Sequence, residues 1–167
     1  NTFDNIEFTV DLVAPDSAAG FALDYVFLSS EYEEYIGSDF NDKFYIQLQS
    51  PTTTGGEEIV INTTECSDPN SYYDQLDADG NPVCFIAINT ACSEPCNAVV
   101  TDLSGTGFEC PTGSSTGWLT TVWPIEPGEE FSLTFHIHDT GDGAFDSAVL
   151  LDNFRFLSDD GGAIGGG

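Results

Sequence analysis

Residues 130–138 read EFSLTFHIH, and this stretch decides the fold class. Its apolar side chains occupy every second position: Phe131, Leu133, Phe135 and Ile137. Successive side chains of a β-strand point to opposite faces, so this period of two predicts a strand with one buried face and one polar face. The segment therefore favours a β-rich protein over a helical one.

The same alternation continues along the chain on both sides of this segment. Candidate strands cover residues 6–12, 21–27, 43–49, 57–62, 83–89, 97–101, 117–123, 130–138 and 148–157. Clusters of Gly, Pro, Asp, Asn and Thr separate these segments, and such clusters form turns. About nine strands without a convincing helix predict an all-β fold, and more narrowly an antiparallel β-sandwich of jelly-roll type.

The chain has 167 residues, of which 40% are hydrophobic. This is the size of one domain, and the apolar content is sufficient for one core. We expect a single β-sandwich domain over residues 1–158. The glycine-rich stretch at residues 159–167 has too few apolar side chains to pack a core, and we expect it to be a flexible tether.

The charge balance is extreme, since 29 acidic residues stand against two basic ones and give a formal net charge of −27. A surface of this sign repels phosphate backbones and anionic lipids, which excludes nucleic acid and membrane surfaces as partners. No apolar run approaches the roughly 18 residues that a transmembrane helix needs. Carboxylates at this density repel one another, and we expect external cations to neutralise part of their charge.

All five cysteines fall between residues 66 and 110, and none forms the C-x2-C pairs that are typical of zinc sites. Disulfides in a compartment outside the cytosol explain them better. Five thiols allow many pairings and leave one thiol over, so the sequence does not determine the bridges. Cys92 and Cys96 are the favoured local pair because they lie close together in the chain.

Two acidic segments are candidate calcium sites, since calcium prefers carboxylate and carbonyl oxygens in flexible loops. The first crowds Asp139, Asp142 and Asp146 into a glycine-containing loop between two strands. In the strand that follows, alternation places Asp152 on the apolar face, where a buried carboxylate needs a metal ion, backbone N–H groups or Lys43 as its partner. The alternative is a solvated acidic hairpin in which Asp and Gly serve only as turn formers.

The second acidic segment, residues 29–42, lies between two predicted strands and carries acidic or amide side chains at both of its ends. Together the two segments and the following strand define one predicted set of calcium ligands. These residues are Glu31, Asn41, Asp42, Asp139, Asp142, Asp146 and Asp152.

Two further patterns could hold a metal but have simpler explanations. The segment DADG at residues 77–80 resembles part of an EF-hand loop, yet Gln75 and Ile86 would occupy its first and last ligand positions, so a hairpin turn is favoured. His136 and His138 share one strand face and could bind a transition metal. No third nitrogen or sulfur ligand is evident, and an exposed strand face is the alternative.

Two tryptophans, Trp118 and Trp123, could form stacking platforms for sugars, although core packing also explains such residues. The sequence contains no G-x-S-x-G or H-E-x-x-H pattern, and both histidines lie on one strand. Acidic residues are too abundant for paired carboxylates to indicate a glycosidase. We therefore expect a protein that is not an enzyme.

Several motifs together resemble a known family. They are YVFLSSEYEEYIGSDFNDKF at residues 25–44, GTGF at 105–108, TGWLTT at 116–121, PIEPGE at 124–129 and DTGDGAFDSAVLLDNFRF at 139–156. In this combination the chain resembles the bacterial choice-of-anchor L domains, and in particular their myxobacterial members. The resemblance covers most of residues 3–157, and it implies a secreted or surface-anchored bacterial protein with a variable anchoring device after the domain.

These observations predict an extracellular, calcium-stabilised β-sandwich that serves as a structural or adhesive module of the cell surface. Self-assembly into a fibre is one form of this function. Calcium would bridge acidic surfaces, and the first strand, Phe3 to Val13, would add to a neighbouring copy unless it pairs within its own sandwich. The alternatives are a carbohydrate-binding module of an exported multidomain protein and a fragment of a secreted hydrolase.

Overall fold

The computed structural model describes residues 2–31, 41–66, 68–70, 72–88, 90, 94–95, 102–109, 111, 113–141 and 146–164. These residues form twelve β-strands and no helix, and hence no helix that could span a membrane. The strands are β1 (Thr2–Val13), β2 (Gly20–Ser29), β3 (Lys43–Gln49), β4 (Glu58–Val60), β5 (Thr63–Glu65), β6 (Gln75–Leu76), β7 (Pro82–Ala87), β8 (Glu94–Pro95), β9 (Ser114–Ser115), β10 (Leu119–Pro124), β11 (Glu130–Thr140) and β12 (Ser147–Leu157).

The strands form two antiparallel sheets. The first sheet has the order β1-β11-β3-β7-β5, with β4 beside β3 and β6 beside β7. The second sheet is built around β2, which pairs with β12 on one side and with β10 and β9 on the other, and β8 continues it beyond β9. β1 and β12 are thus edge strands of different sheets.

The core lies between the two sheets and follows from the alternation of the long strands. Phe21, Tyr25 and Phe27 of β2 point inward and meet apolar side chains of β3 and β11. Phe21 stacks on Phe131 with ring centroids 5.4 Å apart, and Tyr25 contacts Phe44 at 5.5 Å. Aromatic rings from both sheets therefore fill the space between them.

β2 is buried on both faces, which explains its nearly continuous run of apolar residues. On its outer face, Val26 and Leu28 pack against Leu103 and Phe108 of the segment 102–109. This segment covers the second sheet from outside. The second sheet is therefore the central layer of this part of the domain.

The predicted all-β fold with two antiparallel sheets is confirmed, and the jelly-roll connectivity stays a prediction. Eight of the nine predicted strands correspond to strands of the structure, of which β4 contains only three residues, while residues 97–101 lie outside the described residues. The additional strands β5, β6, β8 and β9 contain only two or three residues each. Such segments are too short to show a period.

The first sheet extends one strand beyond the second. Phe156 of β12 makes an edge-to-face contact with Phe131 of β11 at 6.3 Å, so β12 lies opposite β11. β1 pairs with the far side of β11, over the whole length from Thr2 to Val13. Its inner face consequently has no strand opposite it among the described residues, and Ile6 and Phe8 remain 64% and 49% exposed.

The chain folds back after β12. Gly161 N and Ser158 N bond within a tight turn, to Ser158 O and Gly162 O, and Ala163 then pairs with Leu157. Ile164 donates its N–H to Phe156 O (2.9 Å) and packs against the core. The tail that was expected to be flexible from residue 159 is thus docked on the outer edge of β12 as far as Ile164.

A β-bulge in β12 corrects the expected position of Asp152. The register with β2 shifts between Asp152 and Arg155, and Asn153 adopts a positive φ of 53°. Before this bulge Val149 and Leu151 face the core, whereas Leu150 and Asp152 are exposed. The predicted burial of Asp152 is wrong, because strict alternation was extended through a strand that contains an irregular residue.

A disulfide joins Cys66, directly after β5, to Cys84 of β7. It crosslinks neighbouring strands at the far edge of the first sheet. Disulfide formation, as expected for a protein outside the cytosol, is supported by this bridge. Cys92, Cys96 and Cys110 lie outside the described residues, and their pairing stays a prediction.

Candidate functional site

One end of the sandwich gathers aspartates from four separate parts of the chain, and we call it the acidic end. Its members are Asp4 near the start of β1, Asp42 before β3, Asp139 near the end of β11 and Asp146 before β12. The antiparallel register explains the gathering. Phe3 pairs with Asp139, and His138 pairs with Lys43, so the next residues in line meet at the same end.

Asp42 is the structural centre of the acidic end. It is fully buried, and its Oδ1 accepts a hydrogen bond from Thr140 N (3.1 Å) while its Oδ2 accepts one from Ser147 Oγ (2.6 Å). Its main-chain oxygen accepts from Ile88 N (3.2 Å). The carboxylate of Asp42 therefore links β11 to β12 and so spans both sheets, while its main-chain oxygen binds the residue that follows β7.

Asp139 lies beside Asp42 and is only 7% exposed. Burial, followed by the hydrogen bond and the charge of Asp42, raises the pKa of Asp139 to about 7. The charges of Asp4 and Asp146 act in the same direction. Two adjacent buried carboxyl groups cannot both ionise cheaply, so Asp139 keeps its proton up to about neutral pH.

Three other predicted ligands, Glu31, Asn41 and Asp146, lie in chain segments next to this pair or next to one another. Glu31 is buried, 3% exposed, and follows the end of β2. Its neighbour Ser30 donates from N and from Oγ to Asp146 O, at 3.2 and 3.0 Å, so Glu31 and Asp146 belong to adjoining segments. Asn41 directly precedes Asp42. Asp142 lies outside the described residues.

Asp152 does not belong to the acidic end. It is five positions along β12 from Ser147, or about 17 Å at the rise of a β-strand. The described residues contain no group of three or more His, Cys, Asp or Glu side chains close enough to hold a metal ion. The arrangement that the structure does show is therefore the Asp42 and Asp139 pair, with Thr140 and Ser147 as its donors.

The roles of Thr140 and Ser147 were not predicted. Each directly follows one of the candidate aspartates, Asp139 or Asp146, and hydroxyl and amide donors commonly accompany a buried carboxylate. Their partner Asp42, however, is about 100 positions away in the sequence. Only the strand register shows that they meet it.

The two histidines form a hydrogen-bonded chain on the outer face of the first sheet. Glu7 Oε2 lies 3.0 Å from His136 Nδ1, and His136 Nε2 lies 2.9 Å from His138 Nδ1. Tyr45 of β3 stacks on His136 at 5.6 Å. His138 is buried, so the expected exposed face is wrong at this residue, and burial with the charges of His136 and Lys43 lowers the pKa of His138 to about 4.

The DADG segment forms the predicted turn between β6 and β7. Asp77 Oδ1 accepts hydrogen bonds from Asp79 N (2.9 Å) and Asn81 N (2.7 Å), and Gly80 adopts a φ of 82°. The side chain of Asp77 thus accepts hydrogen bonds from the main chain of its own turn, as is typical of aspartate in turns. Of the two tryptophans, Trp118 is 51% exposed, while Trp123 packs against the core.

Comparison with known proteins gives one family. The sequence profile of the choice-of-anchor L domain matches residues 2–156, which is nearly the whole chain. No curated protein and no solved structure matches the chain. Domains of this family occur in exported surface proteins, and their role there is that of a structural module. The chain belongs to the choice-of-anchor L domain family.

Proposed function

We propose that the domain is a non-enzymatic structural module of the cell surface whose acidic end is stabilised by calcium. The observation that carries the proposal is the buried pair of Asp42 and Asp139, in which the pKa of Asp139 is raised to about 7. At the pH of most extracellular media the pair is at least partly ionised. A divalent cation then replaces the missing proton as the neutralising charge.

Calcium fits this end of the molecule by its chemistry. It takes six to eight oxygen ligands at flexible distances, and carboxylates, main-chain carbonyls and water all serve. Asp42 and Asp139 supply carboxylate oxygens from two neighbouring strands, and Asp146 adds negative charge from the second sheet. A cation bound there links the ends of both sheets, so its binding free energy adds to folding.

The proposal extends to self-association. Copies that each carry a net charge of −27 repel one another strongly at low ionic strength. Calcium bound between acidic surfaces reverses that repulsion, and a chain of such contacts forms a fibre. β1 pairs with β11 of its own chain, so this association uses surfaces rather than requiring β1 as a donated strand.

The test is thermal unfolding at pH 7.5 in calcium and in EDTA. Free calcium a hundredfold above its dissociation constant should stabilise the fold by about 2.7 kcal/mol, which raises Tm by about 5–10 °C. Asp139→Asn should lose most of this shift. It should also melt above the unsubstituted protein in EDTA, because the repulsion with Asp42 is gone.

Asp79→Asn is the matched control, since it removes the same charge from the turn between β6 and β7. It should keep the full calcium shift. Identical melting curves in calcium and EDTA, with metal content measured as zero in EDTA, contradict the proposal. So do equal calcium shifts in the Asp139→Asn and unsubstituted proteins.

A further inference from the structure

We propose that the gap beside β12 and opposite β1 accepts an extended peptide segment of a partner protein as an additional β-strand. We call this gap the strand groove. Its walls are the inner face of β1, the edge of β12 and the core residues between them. Binding in the strand groove requires neither calcium nor the acidic end.

The strand groove exists because the two sheets have unequal width. β12 lies opposite β11, as the contact between Phe156 and Phe131 shows, and β1 lies one strand further out. An additional strand beside β12 would lie opposite β1. Ile6, Phe8 and Val10 face this position and stay 64%, 49% and 38% exposed, although their strand pairs with β11 along its length.

Two adjoining cavities mark the strand groove. One has a volume of about 400 Å³, and the other of about 260 Å³. Phe8, Phe135 and Leu151 line both cavities, so the two are continuous along the strands. Asp152 is a charged residue on the wall of the larger cavity, and the other side chains there are almost all apolar. A groove of this shape fits the side chains of one extended segment.

The edge of β12 offers the backbone groups that such a segment needs. Asp146 O accepts from Ser30 N, so Asp146 turns its main-chain groups toward the second sheet. In an antiparallel pair the direction alternates residue by residue. Ser147, Val149 and Leu151 therefore turn their N–H and C=O groups away from β2, toward the strand groove.

The chain's own Ile164 shows what this edge binds. It occupies the end of the added-strand position, donates its N–H to Phe156 O and places its side chain against the core. Ala163 and Ile164 provide the only pairing on this edge among the described residues. The edge thus binds an extended segment that runs antiparallel to β12 and points an apolar side chain inward.

β12 of a second folded copy cannot fill the strand groove. In that copy β12 is covered on its inner side by β11, and the covering sheet would collide with β1 of the first copy. The occupant must be a single strand with no sheet behind it. Bulges at Asp4 and Asn153 leave a regular stretch from Ser147 to Asp152, about 20 Å long, which matches about six residues.

The negative charge of the domain determines which residues of the partner segment lie between its apolar positions. The net charge is −27, and Asp152 at the wall has no ion pair within the part of the chain that the structure describes, where Arg155 binds Asp24 instead (3.2 Å). A segment with further carboxylates would be repelled. The partner segment therefore has apolar residues at alternate positions, which face Phe8 and Val10, and lysine or arginine between them.

The experiment measures binding of a fluorescein-labelled peptide of four Val-Lys repeats to the purified domain by fluorescence anisotropy. Sodium chloride at 0.5 M screens unspecific attraction between the cationic peptide and the acidic protein. A peptide of four Thr-Lys repeats has the same charge and nearly the same shape but lacks apolar side chains. The Val-Lys peptide should bind at least tenfold more tightly than the Thr-Lys peptide.

Phe8→Lys should weaken Val-Lys binding at least tenfold, and Val10→Lys serves as a second variant in case Phe8→Lys fails to fold. Val122→Lys is the control, since Val122 is an exposed apolar residue of β10, away from the strand groove. It should change the affinity less than twofold. In hydrogen exchange, the amide of Leu151 should become protected when the peptide binds.

Equal affinity for the two peptides overturns the proposal, as does an unchanged affinity of both groove variants. Unchanged exchange at Leu151 in the saturated complex also overturns it. Sedimentation of the domain without peptide tests the remaining alternative, in which a second copy of the chain occupies the strand groove. A dimer that Phe8→Lys dissociates, together with no Val-Lys binding, would assign the groove to a second copy.

Discussion

Asp139 links stability to pH through a carboxyl group that folding drives toward its protonated form. Its ordinary pKa of 3.8 rises to about 7, because it is buried beside Asp42. Because folding raises its pKa, Asp139 stabilises the fold fully below about pH 4. This stabilisation is lost as the pH rises through about 7. In EDTA, we expect Tm to fall across this window, and Asp139→Asn should flatten the fall. A Tm that stays constant from pH 4 to 7 would contradict this assignment.

Glu129 provides the opposite slope and serves as the control. Burial acts to raise its pKa, but hydrogen bonds from Ser50 Oγ (2.5 Å), Thr52 N (2.6 Å) and Glu126 N (3.2 Å) outweigh burial and lower it to about 2. This stability is present above the ordinary pKa of 4.5 and is lost as pH falls toward 2. Glu129→Gln should therefore lower Tm above pH 4.5 and flatten the fall on the acid side of the profile, without changing the slope between about pH 5 and 7.

The side chain of Asn62 makes two hydrogen bonds to the main chain of β3, in the place where a neighbouring strand would otherwise pair. Its Oδ1 accepts from Ile46 N (2.6 Å), and its Nδ2 donates to Phe44 O (3.1 Å) in a site where Asn62 is 1% exposed. Asn62→Ala leaves both main-chain groups without a partner, which should cost about 2–5 kcal/mol. Urea unfolding measures the loss. The exposed Asn81→Ala is a control for the effect of removing an amide, and a loss below 1 kcal/mol for Asn62→Ala would contradict the bridging role.

At the residue scale, the density of acidic side chains selected the candidate ligands, and their calcium binding stays a prediction. The density of aspartates pointed to Asp42 and Asp139, and the structure brings these two together. The burial of Asp42 depends on donors from β11 and β12, which only the register supplies. Asp152 was misplaced because a period of two contains no information about one extra residue in a bulge.

At the scale of elements, alternation predicted the long strands because each has one face against the core and one against solvent. β11 is the clearest case, with buried residues at Phe131, Leu133 and Phe135. β2 was also found, although segment 102–109 buries its second face. The two-residue strands β8 and β9 exist only through pairing with a partner, so no local pattern could predict them.

The far edge of the first sheet depends on the Cys66–Cys84 bridge, since β5 contributes only three residues to its pairing with β7. The bridge closes a loop with a sequence separation of 18. Replacing both cysteines, Cys66→Ser with Cys84→Ala, should cost about 3 kcal/mol, or about 9 °C in Tm. Calorimetry of the variant beside the unsubstituted protein in dithiothreitol measures this. Equal Tm values for the double variant and the oxidised unsubstituted protein would show that the bridge does not stabilise the fold.

At the scale of the whole molecule, the net charge of −27 predicts that copies of the domain associate only when cations neutralise it. In EDTA at low salt, light scattering at tens of micromolar protein should report a monomer. In millimolar calcium the mean mass should increase. Magnesium at equal concentration controls for screening and should act more weakly, because it binds fewer protein oxygens and retains its water. A monomer under all conditions would remove the fibre from the proposed function.

The placement of the two edge strands has a mechanical consequence. β1 begins at the acidic end, and β12 ends at the opposite end, near Gly20. A pull applied between Thr2 and Leu157 is therefore directed along the strands. The bonds between β1 and β11 lie across that direction, so they are loaded together in shear rather than opened one after another. Along this axis β1 resists tension with all its bonds to β11 at once, whereas a sideways pull on β1 would peel it away pair by pair.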